Sequence, residues 1–373
     1  MSNYEINEHL KFNKNPNLIY KETIIKGYNF RGCKAIGNLG FNDIFDIYYI
    51  INKKNQNVLY LAIKSQDFNS NIDIIDINNN EIVHQLKNGH QNNKTISLIK
   101  CFKHFERKKD YLISSTNKET IVLDLNTFNI IHNIKSKYNQ FSYSSILLFN
   151  ENNNIYPNYI IISYSEKNTN KEDFINIYNF ETGEYVKQLP DLNLISCFYL
   201  LPWNKYNNNY SKKNYIIACC NNKIIIYDIY NNKEDKLIYA ELKNEENKIS
   251  EYYSACIYTM KNKSINHKDL LYASSDIGKI YIWDLTTELL INVINTYSDT
   301  LYSIILYNES YLLTGDTYGE LIVIDLNLNK IISKIQTNNF FGIISIKKIM
   351  HPQYKESILI CGRNDSIKLL TCK

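Results

Sequence analysis

Seven histidines and eight cysteines are the side chains with which this chain could hold a metal or build a reactive nucleophile. The histidines are His9, His84, His90, His104, His132, His267 and His351. Two imidazoles share a metal from one helix face when they stand four residues apart, and no two of these do. The cysteines, Cys33, Cys101, Cys197, Cys219, Cys220, Cys256, Cys361 and Cys372, contain no C-x-x-C pair, the spacing of zinc and thiol-redox sites. A serine nucleophile on a strand–helix elbow needs G-x-S-x-G, and a phosphate cradle needs G-x-x-x-x-G-K-[ST] or G-x-G-x-x-G. None of these occurs. The expectation is therefore a chain that is not an enzyme, with no cofactor and no metal. The chemistry left to it is recognition, with 32 tyrosines and a cationic set in which only Arg31, Arg107 and Arg363 are not lysine.

Composition agrees with a folded chain. Hydrophobic residues make up 44% and charged residues 21% of 373 residues, which sets the sequence apart from disordered segments of high charge and low hydrophobicity. The net charge of +4 is too small to mark a nucleic-acid binder by itself. The start, MSNYEINEHLKFNKNPN, has no apolar stretch of the kind that leads secretion, and no run of about 18 apolar residues suggests a transmembrane helix. Most cysteines lie inside apolar runs, where a thiol behaves as a small hydrophobe. Reduced, buried thiols fit the cytoplasm or nucleus. Glycine (11) and proline (5) are scarce, so asparagine, which tolerates left-handed backbone, has to supply many turns.

The elements that must position any site are strands. Short runs of Ile, Val, Leu, Tyr and Phe recur between Asn, Asp, Lys and Gly, and their regular spacing predicts a sandwich, barrel or propeller. One landmark repeats: an apolar strand ends on a small polar residue. Asp76, Asp124, Asn179, Asp228, Asp284, Asp325 and Thr371 occupy that place. Two further strands precede each landmark, and a fourth comes after all but the last. The spare segment 17–27, NLIYKETIIKG, is the candidate for the missing strand, which would close a ring.

The fifth unit, LYASSDIGKIYIWDL, carries the Trp283-Asp284 pair. With the sevenfold array around it, the chain resembles the WD-repeat family over nearly its whole length. Trp283 then stands where the other units have Ile75, Leu123, Tyr178, Tyr227, Ile324 and Leu370. The resemblance implies an all-β, seven-bladed β-propeller of four-stranded antiparallel blades, with residues 17–373 as one domain and 1–16 as a disordered or loosely attached tail. The family's polar set of His, Ser/Thr, Asp and Trp is eroded, since the turn position holds Ile277, Tyr318 and Asn364 in the last three units. Blades of this kind should be held by apolar packing more than by that network. A sialidase-like propeller would need clustered arginines, and the three here come from distant units. The family's phosphoinositide signature, an Arg-Arg pair by a glycine, is reduced to Arg31 in NFRGCK, and its cullin-adaptor W-D-x-R reads Trp283-Asp284-Leu285-Thr286.

The resemblance also implies two loop faces. The top holds the loops between the second and third strands and those between blades; the bottom holds the loops between the first and second strands. On that division the bottom loops are net basic and the top loops between strands net acidic. Rings near the blade entrances, Phe41, Phe141, Tyr252, Tyr297 and Phe340, either crowd a top-face partner site together with Arg31 or pack against the next blade. The long connector 27–43 holds four of the eleven glycines and is either a docking loop or a cover. On the bottom, Lys205, Lys212, Lys213, Lys261 and Lys263 are either a solvated fringe or a basic face. The expected function is a protein or peptide interaction scaffold within a larger assembly. The rival is an anion-binding propeller that uses the lysines for a phosphoinositide-bearing membrane surface or nucleic acid.

Overall fold

The computed structural model describes residues 20–24, 45–51, 57–64, 72–76, 81–86, 96–104, 109–116, 119–135, 141–149, 159–166, 174–189, 197–206, 212–221, 223–229, 238–243, 251–260, 268–337, 342–351, 355–362 and 367–372. Among them there is no helix, and the strands form seven four-stranded antiparallel sheets. No helix among the described residues is long and apolar enough to cross a membrane. The expected tail 1–16 and the connector 27–43 lie outside the described residues.

Six sheets are simple meanders whose strands pair in chain order. The first runs from Phe45–Ile51 to Glu81–Leu86, the second from Ile96–His104 to Asn129–Lys135, and the third from Phe141–Phe149 to Tyr185–Gln188. The fourth runs from Cys197–Tyr206 to Ile238–Lys243, the fifth from Tyr252–Met260 to Leu289–Asn295, and the sixth from Leu301–Leu306 to Lys330–Gln336. The seventh has three consecutive strands, Ile343–His351, Lys355–Gly362 and Ile367–Cys372, and takes its fourth from the other end of the chain. Tyr20–Ile24 pairs antiparallel with Ile367–Cys372, with Tyr20 opposite Cys372 and Ile24 opposite Lys368. The spare strand expected in 17–27 therefore joins the last sheet. Antiparallel meanders give each sheet two ends: a lower end with the turns after strands one and three, and an upper end with the turn after strand two and the connection onward.

In the second to sixth sheets, strands two and three are apolar without alternation because both their faces are covered. In the fourth sheet Ile224, Ile225, Ile226 and Tyr227 are all buried. Ile224 and Ile226 join Trp203, Trp283 and Tyr252 in one core, whereas Ile225 and Tyr227 join Ile161, Ile175 and Cys197 in another. Successive side chains thus serve opposite neighbours, as a pleat requires. Each fully buried aliphatic chain is worth roughly 1.5–3 kcal/mol. The first strands of successive sheets lie side by side from the first sheet to the seventh. The described fourth strands carry exposed apolar side chains, among them Ile130, Ile131, Leu289 and Ile291. Cys101, Cys197, Cys219, Cys220, Cys256 and Cys361 are free, with Cys197, Cys219, Cys220 and Cys361 buried; burial pushes the Cys256 thiol up to about 12.

Two local devices explain the repeat. The polar landmark begins the lower turn after strand three. The Asp284 carboxylate accepts the N–H of Thr286 at 2.8 Å, Asp124 that of Asn126 at 2.8 Å, Asn179 that of Glu181 at 2.8 Å and Asp325 that of Asn327 at 2.8 Å. Four residues after each landmark the chain turns left-handed, at Phe128, Gly183, Glu288 and Asn329. Short side-chain acceptors that bond their own backbone are what such turns select.

The second device is a bulge. The first strand of every sheet from the second to the seventh slips register by one residue near its upper end. In the third, fifth and sixth sheets a buried serine just past the slip accepts an N–H from the next sheet's first strand. Leu200 donates to Ser145 at 3.1 Å, Ile304 to Ser254 at 3.4 Å and Ile346 to Ser303 at 3.2 Å. The apolar packing expected between sheets is present, and these serines add polar stitches at the seams that the repeat pattern did not disclose.

Candidate interaction surface

The expected top-face residues divide sharply. Arg31, Phe41 and Phe340 lie outside the described residues, and Phe141 opens the first strand of the third sheet. Tyr252 is not a surface residue: it is fully buried, edge-on to Tyr281 at 5.5 Å and to Trp283 at 5.6 Å. The cause is the bulge between Tyr252 and Ser254. An extra residue reverses the facing of the side chains beyond it, so Tyr252 and Ala255, three positions apart, enter the same core. Tyr297, in contrast, is 85% exposed with φ 60°. Trp283 is fully buried, as its place in the repeat suggested.

The expected basic face is also redrawn. Lys261 and Lys263 lie outside the described residues, and Lys212 opens the second strand of the fourth sheet. Lys205 is tied into its own sheet: it hydrogen-bonds the Tyr239 hydroxyl and stands 4.7 Å from the centre of that ring and 5.4 Å from the Trp203 ring. Lys213 pairs with Asp228 at 2.5 Å, and Lys268 in the next sheet pairs with Asp284 at 3.1 Å. The lower-end landmark carboxylates thus balance lysines at the adjacent strand ends. Burial alone would raise the Asp284 carboxyl, but the Thr286 N–H, the Lys268 ammonium and the Thr287 N–H hold it below its usual value. Trp203 has a structural role too: its indole N–H donates to Asp269 at 2.9 Å, across the seam into the fifth sheet.

The upper end of the fifth and sixth sheets is where side chains with recognition chemistry meet solvent. The connection 296–300 is held at several points. The Thr296 N–H and hydroxyl both donate to the Gly278 carbonyl, at 3.0 and 2.7 Å. The Ser298 hydroxyl donates to Asp316 at 2.7 Å, and the Thr300 hydroxyl to the Asp276 carbonyl at 2.9 Å. A Cβ on Gly278 would lie 1.6 Å from the Ser298 carbonyl oxygen, so the turn and the connection touch backbone to backbone. Tyr318, 55% exposed, projects from the turn 316–319 and donates its hydroxyl to Asp299 at 2.5 Å. The repeat pattern met Tyr318 only as a departure at the turn position; the signal for an exposed ring was a large aromatic inside the tight turn Asp-Thr-Tyr-Gly.

Carboxylates dominate the same end. Burial raises the Asp316 carboxyl, and the hydroxyl of Ser298 and the N–H groups of Glu320 and Tyr318 offset this only in part. Burial likewise raises Asp276, with the Glu251 charge adding to it while the Glu251 N–H opposes it. The Asp299 hydrogen bond and charge raise the Tyr318 phenol. On the first strands, Phe198, Tyr253 and Tyr302 form a row across the fourth, fifth and sixth sheets, with ring centres 4.9 and 5.6 Å apart. All three stand at the slipped positions of their strands. Phe198 is buried, whereas Tyr253 and Tyr302 are half-buried. Tyr253 gives its hydroxyl to Glu251.

No family model matches the chain, and no curated protein matches it.

Proposed function

We propose that this chain is a WD-repeat-like, seven-bladed β-propeller, closed by its N-terminal strand, that works as a non-catalytic scaffold for protein partners within a larger assembly of the cytoplasm or nucleus. The seven sheets are its blades, and the Tyr20–Ile24 pairing is its clasp. The observation that carries the reading is the upper end of the fifth and sixth sheets. There Tyr297 and Tyr318 stand exposed on loops sewn to their neighbours. Large rings held without conformational loss are what interface hot spots use.

The rival, an anion-binding lower face, loses support because Lys205, Lys213 and Lys268 are engaged within the protein. Affinity purification of the tagged chain, with bound proteins identified by mass spectrometry, tests the reading. The wild type is expected to retain defined proteins at high salt, and Tyr297→Ser with Tyr318→Ser to lose them by at least about tenfold, the size of a modest hot-spot loss. Lys261→Ser with Lys263→Ser should leave retention unchanged. Steeply salt-dependent binding to anionic vesicles or nucleic acid, lost in the lysine variant, would favour the rival and overturn the scaffold.

A further inference from the structure

The two ends of the fifth and sixth sheets treat charge differently. At the lower end, Lys268 meets Asp284 directly. At the upper end, Glu251, Asp276, Asp299, Asp316 and Glu320 share their turns with one lysine among the described residues, Lys279. Glu320 pairs with Lys334 of the fourth strand at 3.1 Å. Among the described residues the other four carboxylates have neutral donors instead: Tyr253 for Glu251, Tyr318 for Asp299, Ser298 for Asp316, and the backbone N–H of Glu251 for Asp276. A neutral donor orients a carboxylate without cancelling its charge. This end therefore keeps a negative field beside two exposed aromatic faces.

We propose that the upper rim between the fifth and sixth sheets docks an extended, lysine- or arginine-rich segment of a partner protein, with its cationic heads over Tyr297 and Tyr318 and facing Asp299. The proposal rests on the scaffold reading and names the class of partner for that surface. An exposed tyrosine face attracts a cation through its ring quadrupole, and an adjacent carboxylate adds charge. Tyr297 and Asp299 share one connection, and the hydroxyl of Tyr318 reaches that same carboxylate from the turn of the sixth sheet. Tyr318 and Asp299 thus form one fixed pair, with Tyr297 two residues before the carboxylate on the same connection. The half-buried rings of Tyr253 and Tyr302, 5.6 Å apart, add a second aromatic pair at the upper ends of the first strands of the same two sheets. A chain segment fits this layout better than a small cation, because the carboxylates spread over two sheets. Packed sheets lie roughly 10 Å apart, and a polyproline II segment advances about 3.1 Å per residue with three residues per turn, so cationic residues at every third position share one face and would meet both sheets.

The test uses the full chain and a fluorescent peptide with lysine at every third position in a glycine–serine background. Anisotropy should show saturable binding by the wild type that weakens as salt rises. Tyr297→Ser, Tyr318→Ser and Asp299→Asn should each weaken it at least about fivefold, the lower range of a cation–π or charge contact. Tyr318→Phe keeps the ring and frees the Asp299 carboxylate, so it should bind at least as well as wild type. Asp325→Asn, in the turn at the opposite end, should change nothing. Each variant is compared only where its melting matches wild type, and Tyr318→Phe remains informative if Tyr318→Ser fails to fold. No binding by the wild type would overturn the proposal. So would equal weakening by Asp325→Asn, or indifference to both Tyr297→Ser and Asp299→Asn. If proteins recovered from cells still depend on Tyr297 and Tyr318 while the peptide does not bind, the cationic class is wrong and the scaffold stands. If the peptide binds at this rim but no protein is retained, the scaffold reading is the one that fails.

Discussion

Asp284 and Asp316 are both buried aspartates, and their surroundings drive them in opposite directions. Asp316 is raised by burial; Asp284 is lowered because backbone N–H groups and the Lys268 ammonium outweigh its burial. Unfolded, each carboxyl titrates near about 3.9. A raised carboxyl favours folding below that value and loses its contribution as pH rises through its higher folded value. A lowered one contributes above about 3.9 and loses its effect as pH falls through its lower folded value. The two asparagine variants should therefore diverge. Between about pH 6 and about pH 3, denaturant titrations should show the wild type gaining stability relative to Asp316→Asn and losing it relative to Asp284→Asn. Parallel curves would show that neither environment is as described. At this scale the sequence disclosed Asp284 as a landmark, because a strand-ending aspartate recurs. It did not disclose Asp316, whose environment depends on Ser298, a residue of the connection from the preceding sheet.

Among the elements, Gly278 and Gly183 make a natural comparison. Both adopt left-handed backbone, with φ 67° and 72°, so alanine at either costs about 1–2 kcal/mol from conformation. They differ in what surrounds them. A Cβ at Gly183 would meet the His132 ring at 3.0 Å, a side chain able to turn aside, whereas at Gly278 it would meet the Ser298 carbonyl. Gly278→Ala should exceed Gly183→Ala by at least about 2 kcal/mol, an overpacking penalty, when both are measured by urea denaturation. Equal losses would mean that the connection 296–300 yields easily and does not hold Tyr297 rigidly. Strand existence was legible because apolar runs and asparagine-rich turns alternate at regular intervals. The slip in each first strand was not, since one added residue leaves composition and periodicity almost untouched while reversing the facing of a side chain. The sequence leaves Tyr252 either at the top face or packed on a neighbouring blade; the slip buries it and turns Tyr253 into the aromatic row instead.

At the scale of the molecule, the seventh sheet is completed by residues from the far end of the chain. Without Tyr20–Ile24, the backbone of Ile367–Cys372 would be an open edge, a template for pairing with other chains. Deleting residues 1–24 should lower Tm by roughly 2–3 °C, as a loss of about 2 kcal/mol does in a domain of this size. It should also produce concentration-dependent association visible by light scattering. A deletion variant that stays monomeric with unchanged Tm would sink the clasp. The fourfold strand count was legible here because units repeat; the lower-end ion pairs were not, because Lys213 and Asp228, or Lys268 and Asp284, come together only when strands two and three pair. The placement of the two tryptophans has an experimental consequence. Trp203 and Trp283 lie in one core, the one between the fourth and fifth sheets. Indole emission therefore watches a single seam, while far-ultraviolet dichroism averages over every strand. Melting curves from the two signals coincide if the molecule unfolds as one body. If the emission shifts first, that seam opens ahead of the rest, and the chain already carries the chromophores that report it.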